Sequence, residues 1–478
     1  MQEIHPGHDH RPRELTETTY DVIVLGAGST GENVADYAQR GGLTTVLVES
    51  ELVGGECSYW ACMPSKALLR PVEARSDAQA VAGSREAVTG ELDVEAVFAR
   101  RDSFTSSWRD DGQASWVDGA GMALARGQGR LTGVRTVEVD GVTLTARHAV
   151  VVCTGSTAAL PPIEGLADSR PWTAREATSA SAVPVRLAVM GGGVVGVEMA
   201  TAWRALGAQV TVIERSDRVL ANYEPEVGTR VTKILRDSGV EVRVGVSVTK
   251  VARDGQVVAT LDDGSTVEAD ELLVAVGRKA ATADLGLESV GLEPGSWLTV
   301  DDTMLVEGFD WLYAAGDVNA RALLTHMGKY QARVAGTVIA ARAQGRALTG
   351  AWTQHAATAD HAVVPQVVFT NPPVASVGLT EAVARKQGLA VTTVSYDIGS
   401  TAGGALYADG NPGWAQLVVS GDRLVGATFF GPGVSEMVHA AAVAIVGEVP
   451  LQRLWHAVPS YPTMSEVWLR LLDQLPHG

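Results

Sequence analysis

Residues 21–50 read DVIVLGAGSTGENVADYAQRGGLTTVLVES: an apolar strand running into glycines, small and apolar residues at helical spacing, then a second apolar strand. Gly26, Gly28 and Gly31 form G-x-G-x-x-G at the turn from strand to helix. That turn must be tight, its backbone must approach a pyrophosphate, and its helix must lie close on the sheet; a side chain would obstruct each task. Glu49 closes the second strand, 21 residues beyond Gly28, where a carboxylate can accept hydrogen bonds from a ribose. The expectation is a β-α-β unit that holds a dinucleotide.

The same design returns at residues 185–216, VRLAVMGGGVVGVEMATAWRALGAQVTVIERS, with Gly191, Gly193 and Gly196 at the same offsets and Glu214 again 21 residues on. One glycine triplet is weak evidence, but two complete units point to an internal duplication. Glu214 favours NADH over NADPH, because a carboxylate repels a 2′-phosphate and accepts from a free 2′-hydroxyl. Arg215 and Arg218 are the residues that could hold a phosphate instead.

The 478 residues are too many for one ordinary core, and 46% hydrophobic with 19% charged residues marks a globular chain. A net charge of −17 repels polyanions, so no nucleic-acid partner is expected. No apolar run reaches membrane-spanning length and the first twenty residues lack the apolar stretch of a signal peptide, which reads as cytoplasmic. The fold class is α/β: two Rossmann-like dinucleotide-binding domains plus a C-terminal α+β interface domain. The expected boundaries are a flexible tail at 1–19, the first domain at 20–165 and 300–350, the second at 166–299, and the interface domain at 351–478. His5, His8 and His10 belong to the tail and read as part of a solvated arm. Residues 240–278 alternate between Asp-Gly turns like β-hairpins. From Pro365 onward, hairpin-like strands precede the helical SEMVHAAAVAIVG and VWLRLLDQL, whose apolar faces exceed what a monomer should expose and so suggest a homodimer.

Residues 54–71, GGECSYWACMPSKALLRP, hold two of the three cysteines, Cys57 and Cys62. Three cysteines are too few for a disulfide scaffold, and no second pair completes a structural zinc site. The flanking glycines and the helical ALLRP place both sulfurs near a helix N-terminus, which supports a nucleophilic thiolate and thus a redox-active disulfide. Buried, unreactive thiols are the alternative. Cys153, ending a strand, reads as a small buried hydrophobe.

Taken together, the first glycine set, the C-x4-C followed by Pro64, Ser65 and Lys66, the GGGVVGVE segment and AAGDV at 314–318 resemble the pyridine nucleotide-disulfide oxidoreductases: lipoamide dehydrogenase, glutathione reductase and mercuric reductase. The resemblance runs from Tyr20 to about Arg470. It implies FAD in the first unit, with Glu49 on the adenosine ribose, Asp317 near the ribitol and pyrophosphate, and Gly55, Thr154, Gly155 and Gly316 alongside. It implies a nicotinamide nucleotide in the second, with Arg215 and Gly277 joining the glycine set and Glu214. Cys62 would be the thiolate that forms a charge-transfer complex with the flavin, and Cys57 the interchange thiol. Lys66 would pair with Glu198 close to flavin N5. The active site would be shared in a homodimer, Tyr461 and Glu466 of one chain approaching Cys57 of the other.

One departure limits the resemblance. Family members that reduce organic disulfides usually carry His-Pro-Thr-x-x-Glu near the C-terminus, and this chain has Tyr461-Pro462-Thr463-Met464-Ser465-Glu466. A phenol, with its pKa of about 10, is a poor proton acceptor at neutral pH. Mercuric reductases resemble the chain in that tyrosine but normally add a C-terminal cysteine pair, and no cysteine follows Cys153. His456, five residues earlier, is a candidate substitute base, although a surface or packing role suits it better. The implied function passes hydride equivalents from NAD(P)H through FAD to Cys57–Cys62 and on to an unidentified small-molecule acceptor. The alternatives are direct transfer from flavin to a quinone, a dye or oxygen, or to a metal ion as in mercuric reductases, and a regulatory flavoprotein without turnover. No resident metal is expected.

Overall fold

Gly26 takes φ +95°, and a β-carbon there would lie 2.6 Å from the Cys153 carbonyl oxygen, so only glycine closes the first turn. Around it, strand Thr19–Leu25, helix Ser29–Arg40 and parallel strand Thr45–Glu49 form the β-α-β unit read from the sequence. The computed structural model describes residue 15 and residues 17–475; the histidines of the tail lie outside the described residues. The chain divides into two compact units, residues 1–64, 101–159 and 277–361 in the first and 65–100, 160–276 and 362–478 in the second.

The first unit is built on a seven-stranded sheet in the order 123–126, 45–49, 19–25, 142–152, 136–139, 129–133, with Leu312–Ala314 also paired to Val142–Val152. The strands around the glycine turn are parallel and almost fully buried, as continuous apolar runs such as VIVL require. Helix Thr325–Ala343 packs on helix Ser29–Arg40, and Gly336 permits the contact: a β-carbon there would fall 2.6 Å from the Tyr37 side chain.

The second unit contains the duplicate. Strands 241–244, 209–214, 186–190 and 271–274 lie in that order in a parallel sheet, with helix Val194–Ala205 following the second glycine turn. Here alternation misled the hairpin expectation. Only 248–254, 256–261 and 266–269 form the antiparallel ribbon, whereas Glu241–Val244 and Glu271–Val274 join the parallel sheet. In Glu271–Val274 the apolar LLV run is buried, the pattern of a parallel strand covered on both faces.

A five-stranded antiparallel sheet, 366–368, 374–378, 423–430, 414–420 and 391–397, completes the second unit. Helix Val438–Val446 packs on it and leaves Val443 and Val446 exposed. The segment VWLRLLDQL behaves differently from the expectation. Val467, Trp468, Leu471 and Leu472 are buried within the chain, Trp468 against Phe429 at 5.8 Å, so this helix's apolar face is already covered. Among the described residues, no helix is long and apolar enough to cross a membrane.

Candidate active site

Cys57 and Cys62 do not share one helix. Gly54 at φ +110° starts the short helix Gly55–Tyr59, which carries Cys57; Trp60 leaves helical geometry at φ −136°, and Cys62 begins the helix Cys62–Gln79. Both cysteines are free, and Cys62 is the neighbour that acts most strongly on the Cys57 thiol. The Cys62 sulfur also lies 3.2 Å from the Thr325 hydroxyl. Thr325 is the first residue of a 19-residue helix whose preceding residue, Leu324, provides no side-chain cap, so the positive end of a long helix faces the sulfurs. Cys62, with burial behind it, pushes the Cys57 thiol well above its ordinary range. Cys57 is therefore the partner that keeps the proton. A hydrogen bond to a charged group contributes about 1.5–3 kcal/mol, so Thr325→Val should slow alkylation of the reduced pair at neutral pH about tenfold. Rates with iodoacetamide across a pH series measure this, and an unchanged profile would remove Thr325 from the site.

The carboxylate of Glu49 accepts from the N–H of Ala27 and of Glu51, each at 2.8 Å. Burial raises its pKa, and those two backbone bonds act against the rise. Glu214 repeats the arrangement, accepting from Gly192 N–H at 2.6 Å and Ser216 N–H at 2.7 Å. The duplication thus extends to the hydrogen bonds that aim each carboxylate at its glycine turn. Gly31 and Gly196 match too: a β-carbon on either would sit 1.9 Å from the carbonyl oxygen of Gly26 or Gly191. Gly28 and Gly193 have open space where a phosphate would lie, the nearest atom to a β-carbon on Gly28 being the Cα of Gly55 at 3.9 Å.

Further donors in the first unit suit the ribitol and pyrophosphate of FAD. The Thr154 hydroxyl oxygen is buried without a partner among the described residues. Gly155 and Gly316 take φ of +74° and +83°, and the Gly316 N–H is held by Gln331 at 2.8 Å. Asp317 accepts from the Ser156 hydroxyl at 2.6 Å; Ser156 accepts from Arg278, whose guanidinium also reaches Glu56 at 3.4 Å. Burial raises the Asp317 pKa, offset by the Ser156 bond and the Arg278 charge. Gly277, beside Arg278, belongs to this first unit. Sequence reasoning missed Thr325, Ser156 and Arg278. Arg278 adjoins a singled-out glycine, but no local pattern marks Thr325 or Ser156.

In the second unit Lys66 Nζ lies 2.6 Å from Glu198 Oε2, with Glu198 only 4% exposed. The other Glu198 oxygen accepts from the Phe369 N–H at 3.0 Å, and the ammonium stands 4.9 Å from the centre of the Phe369 ring. Each group anchors the other, so the pair is fixed rather than a mobile surface bridge. Arg215 is exposed, while Arg218 is engaged by Asp217 and the Ala221 carbonyl. Tyr461 is 76% exposed. Glu466 is buried and turned into its own chain, where it accepts from Gly403 N–H at 3.1 Å. His456 is exposed and stacks edge-on with Trp455. Cys153 is buried, which pushes its thiol up to about 12.

Two glycine-turn units, each with its aimed carboxylate, and a paired dithiol define a flavin- and nicotinamide-dependent class of α/β oxidoreductase. The chain belongs to the pyridine nucleotide-disulphide oxidoreductase family, matching it over residues 20–345 and its dimerisation domain over residues 364–471. It is 32% identical over 474 residues to a mercuric reductase of Streptomyces lividans, covering 96% of each chain. It is 30% identical over 477 residues to a dihydrolipoyl dehydrogenase of Synechocystis, covering 94% of this chain and 97% of that one. The fold is also that of LpdA from Mycobacterium tuberculosis, with a TM-score of 0.81 at 24% identity over 96% of this chain and 100% of the other. The protein is an FAD-dependent oxidoreductase with a dimerisation domain.

Proposed function

We propose that the chain uses NADH to reduce a Cys57–Cys62 disulfide, which then reduces a small-molecule acceptor. The observation that carries this is the pair of neighbouring free cysteines with the Cys62 sulfur 3.2 Å from the hydroxyl that starts helix Thr325–Ala343. In this reading residues 20–165 and 300–350 hold FAD through Gly26, Gly28, Gly31, Glu49, Gly55, Thr154, Gly155, Gly316 and Asp317. Residues 166–276 hold the nucleotide through Gly191, Gly193, Gly196, Glu214 and Arg215, Gly277 lying in the first unit. Bound there, FAD would accept a hydride from the nicotinamide and supply two electrons to the disulfide. Cys57 acts as the outer thiol, keeping and releasing the proton, and Cys62 as the inner one; Lys66 and Glu198 serve as a fixed ion pair. The enzyme works in the cytoplasm as a homodimer through residues 351–478, with Tyr461 serving the partner's dithiol while Glu466 is held by Gly403 of its own chain.

A second reading, direct transfer from flavin to a quinone, a dye or a metal ion, is favoured by Tyr461. It replaces the family's base, and the Glu466 carboxylate that could have oriented a base is committed to Gly403. Anaerobic titration with NADH and NADPH, then an acceptor screen, tests both. NADH should give the higher kcat/KM, and Glu214→Ala should narrow the gap. A tenfold preference for NADPH, about 1.4 kcal/mol, would assign the site to Arg215 or Arg218 instead.

A further inference from the structure

Behind the loop that carries Cys57 lies a turn of unusual backbone. Ser106, Ser107 and Trp108 take φ of +49°, +52° and +56° in succession, a left-handed run that L side chains disfavour. Such strain persists only where the surroundings over-determine it. Here the Trp108 ring is buried with Leu52, Tyr59 and Trp60 in one apolar cluster, under the Arg101 guanidinium at 5.3 Å. Its indole N–H donates to the Tyr59 carbonyl at 3.0 Å. The Tyr59 hydroxyl donates to the Arg109 carbonyl at 3.4 Å. Asp110, fully buried, accepts from the Val53 N–H at 2.7 Å and pairs with Arg126 at 2.6 Å. Both ends of the segment 53–59 are therefore tied to residues 108–110, with Cys57 between them.

We propose that Trp108 is a positioning residue for the thiol pair: its indole holds the last carbonyl of the one-turn helix Gly55–Tyr59 and so keeps Cys57 against Cys62. The proposal rests on the reading of that pair as redox-active. A helix C-terminus leaves its final carbonyls without intrahelical partners, and in so short a helix the indole bond is what fixes the end. With the end fixed, each thiol meets the other at high effective concentration, which favours the disulfide. In glutathione buffer the balance is Cys57–SH plus Cys62–SH plus oxidised glutathione giving the Cys57–Cys62 disulfide plus two reduced glutathione molecules. The protein loses two electrons and two protons, and glutathione gains them.

The holoenzyme should be equilibrated across glutathione buffers, quenched, alkylated, and its Cys57 and Cys62 states counted by mass spectrometry. Trp108→Phe is expected to shift the equilibrium about tenfold toward the dithiol, about 30 mV for a two-electron couple. Tyr59→Phe should shift it the same way by less, and it decides the matter if Trp108→Phe does not fold. Ser107→Gly should titrate like wild type while melting higher, since glycine adopts positive φ without steric cost. Trp108→Phe titrating with wild type, whatever its melting temperature, would overturn the positioning role and leave the redox pair standing. A wild-type pair that stays reduced in every buffer would overturn both.

Discussion

Gly31→Ala is expected to purify with little or no flavin, and Gly196→Ala to keep its flavin while losing affinity for NADH. In each case the new β-carbon lies 1.9 Å from a backbone oxygen, of Gly26 or of Gly191, and neither turn can yield without moving its helix off the sheet. Overpacking of this kind costs roughly 1–3 kcal/mol or more, enough to weaken cofactor binding about a hundredfold at 1.4 kcal/mol per decade. Flavin absorbance per protein measures the first effect, and the KM for NADH at full flavin occupancy measures the second. If Gly31→Ala binds flavin normally and Gly196→Ala does not, the assignment of the two units is reversed.

Cys57→Ser and Cys62→Ser should each lower kcat/KM for a disulfide acceptor by at least about a thousandfold, since an activated nucleophile has no substitute when its atom is removed. Reduction of a small quinone or dye should survive in both variants, because both dinucleotide cradles remain. That contrast separates the two readings of the enzyme. Parallel loss of disulfide and dye reduction would mean that every acceptor is served through the thiols. Equal rates in variant and wild type with every acceptor would mean that the thiols carry no electrons.

The glycine turns and the dithiol were legible because their constraints are local. Gly31 and Gly196 are forced by contacts within a single turn, and Glu49 and Glu214 by strand length. The carboxylate bonds to the N–H groups of Ala27 and Gly192 follow from the same geometry. Strand direction was less accessible: Glu241–Val244 alternates much as an antiparallel strand does, and its partner, Gln209–Glu214, is set by a distant fold decision. Thr325 and Ser156 were hidden for a related reason. A hydroxyl on a sulfur 263 residues away, or on a carboxylate 161 residues away, leaves no periodic trace in the sequence.

The burial of Trp468 against Phe429 changes how the proposed sharing of a site between subunits can be tested. The exposed Tyr461 stands at the tip of an arm, and Val467–Leu472, six residues on, is the root that fastens this arm to its own subunit. A deletion from Tyr461 onward would pull out the root with the tip and expose the subunit's own interior, so its loss of activity would say nothing about exchange between chains. Pairing Cys57→Ser with Tyr461→Ala in mixed dimers leaves every root in place, and only that design lets one subunit's arm be judged by the other's thiols.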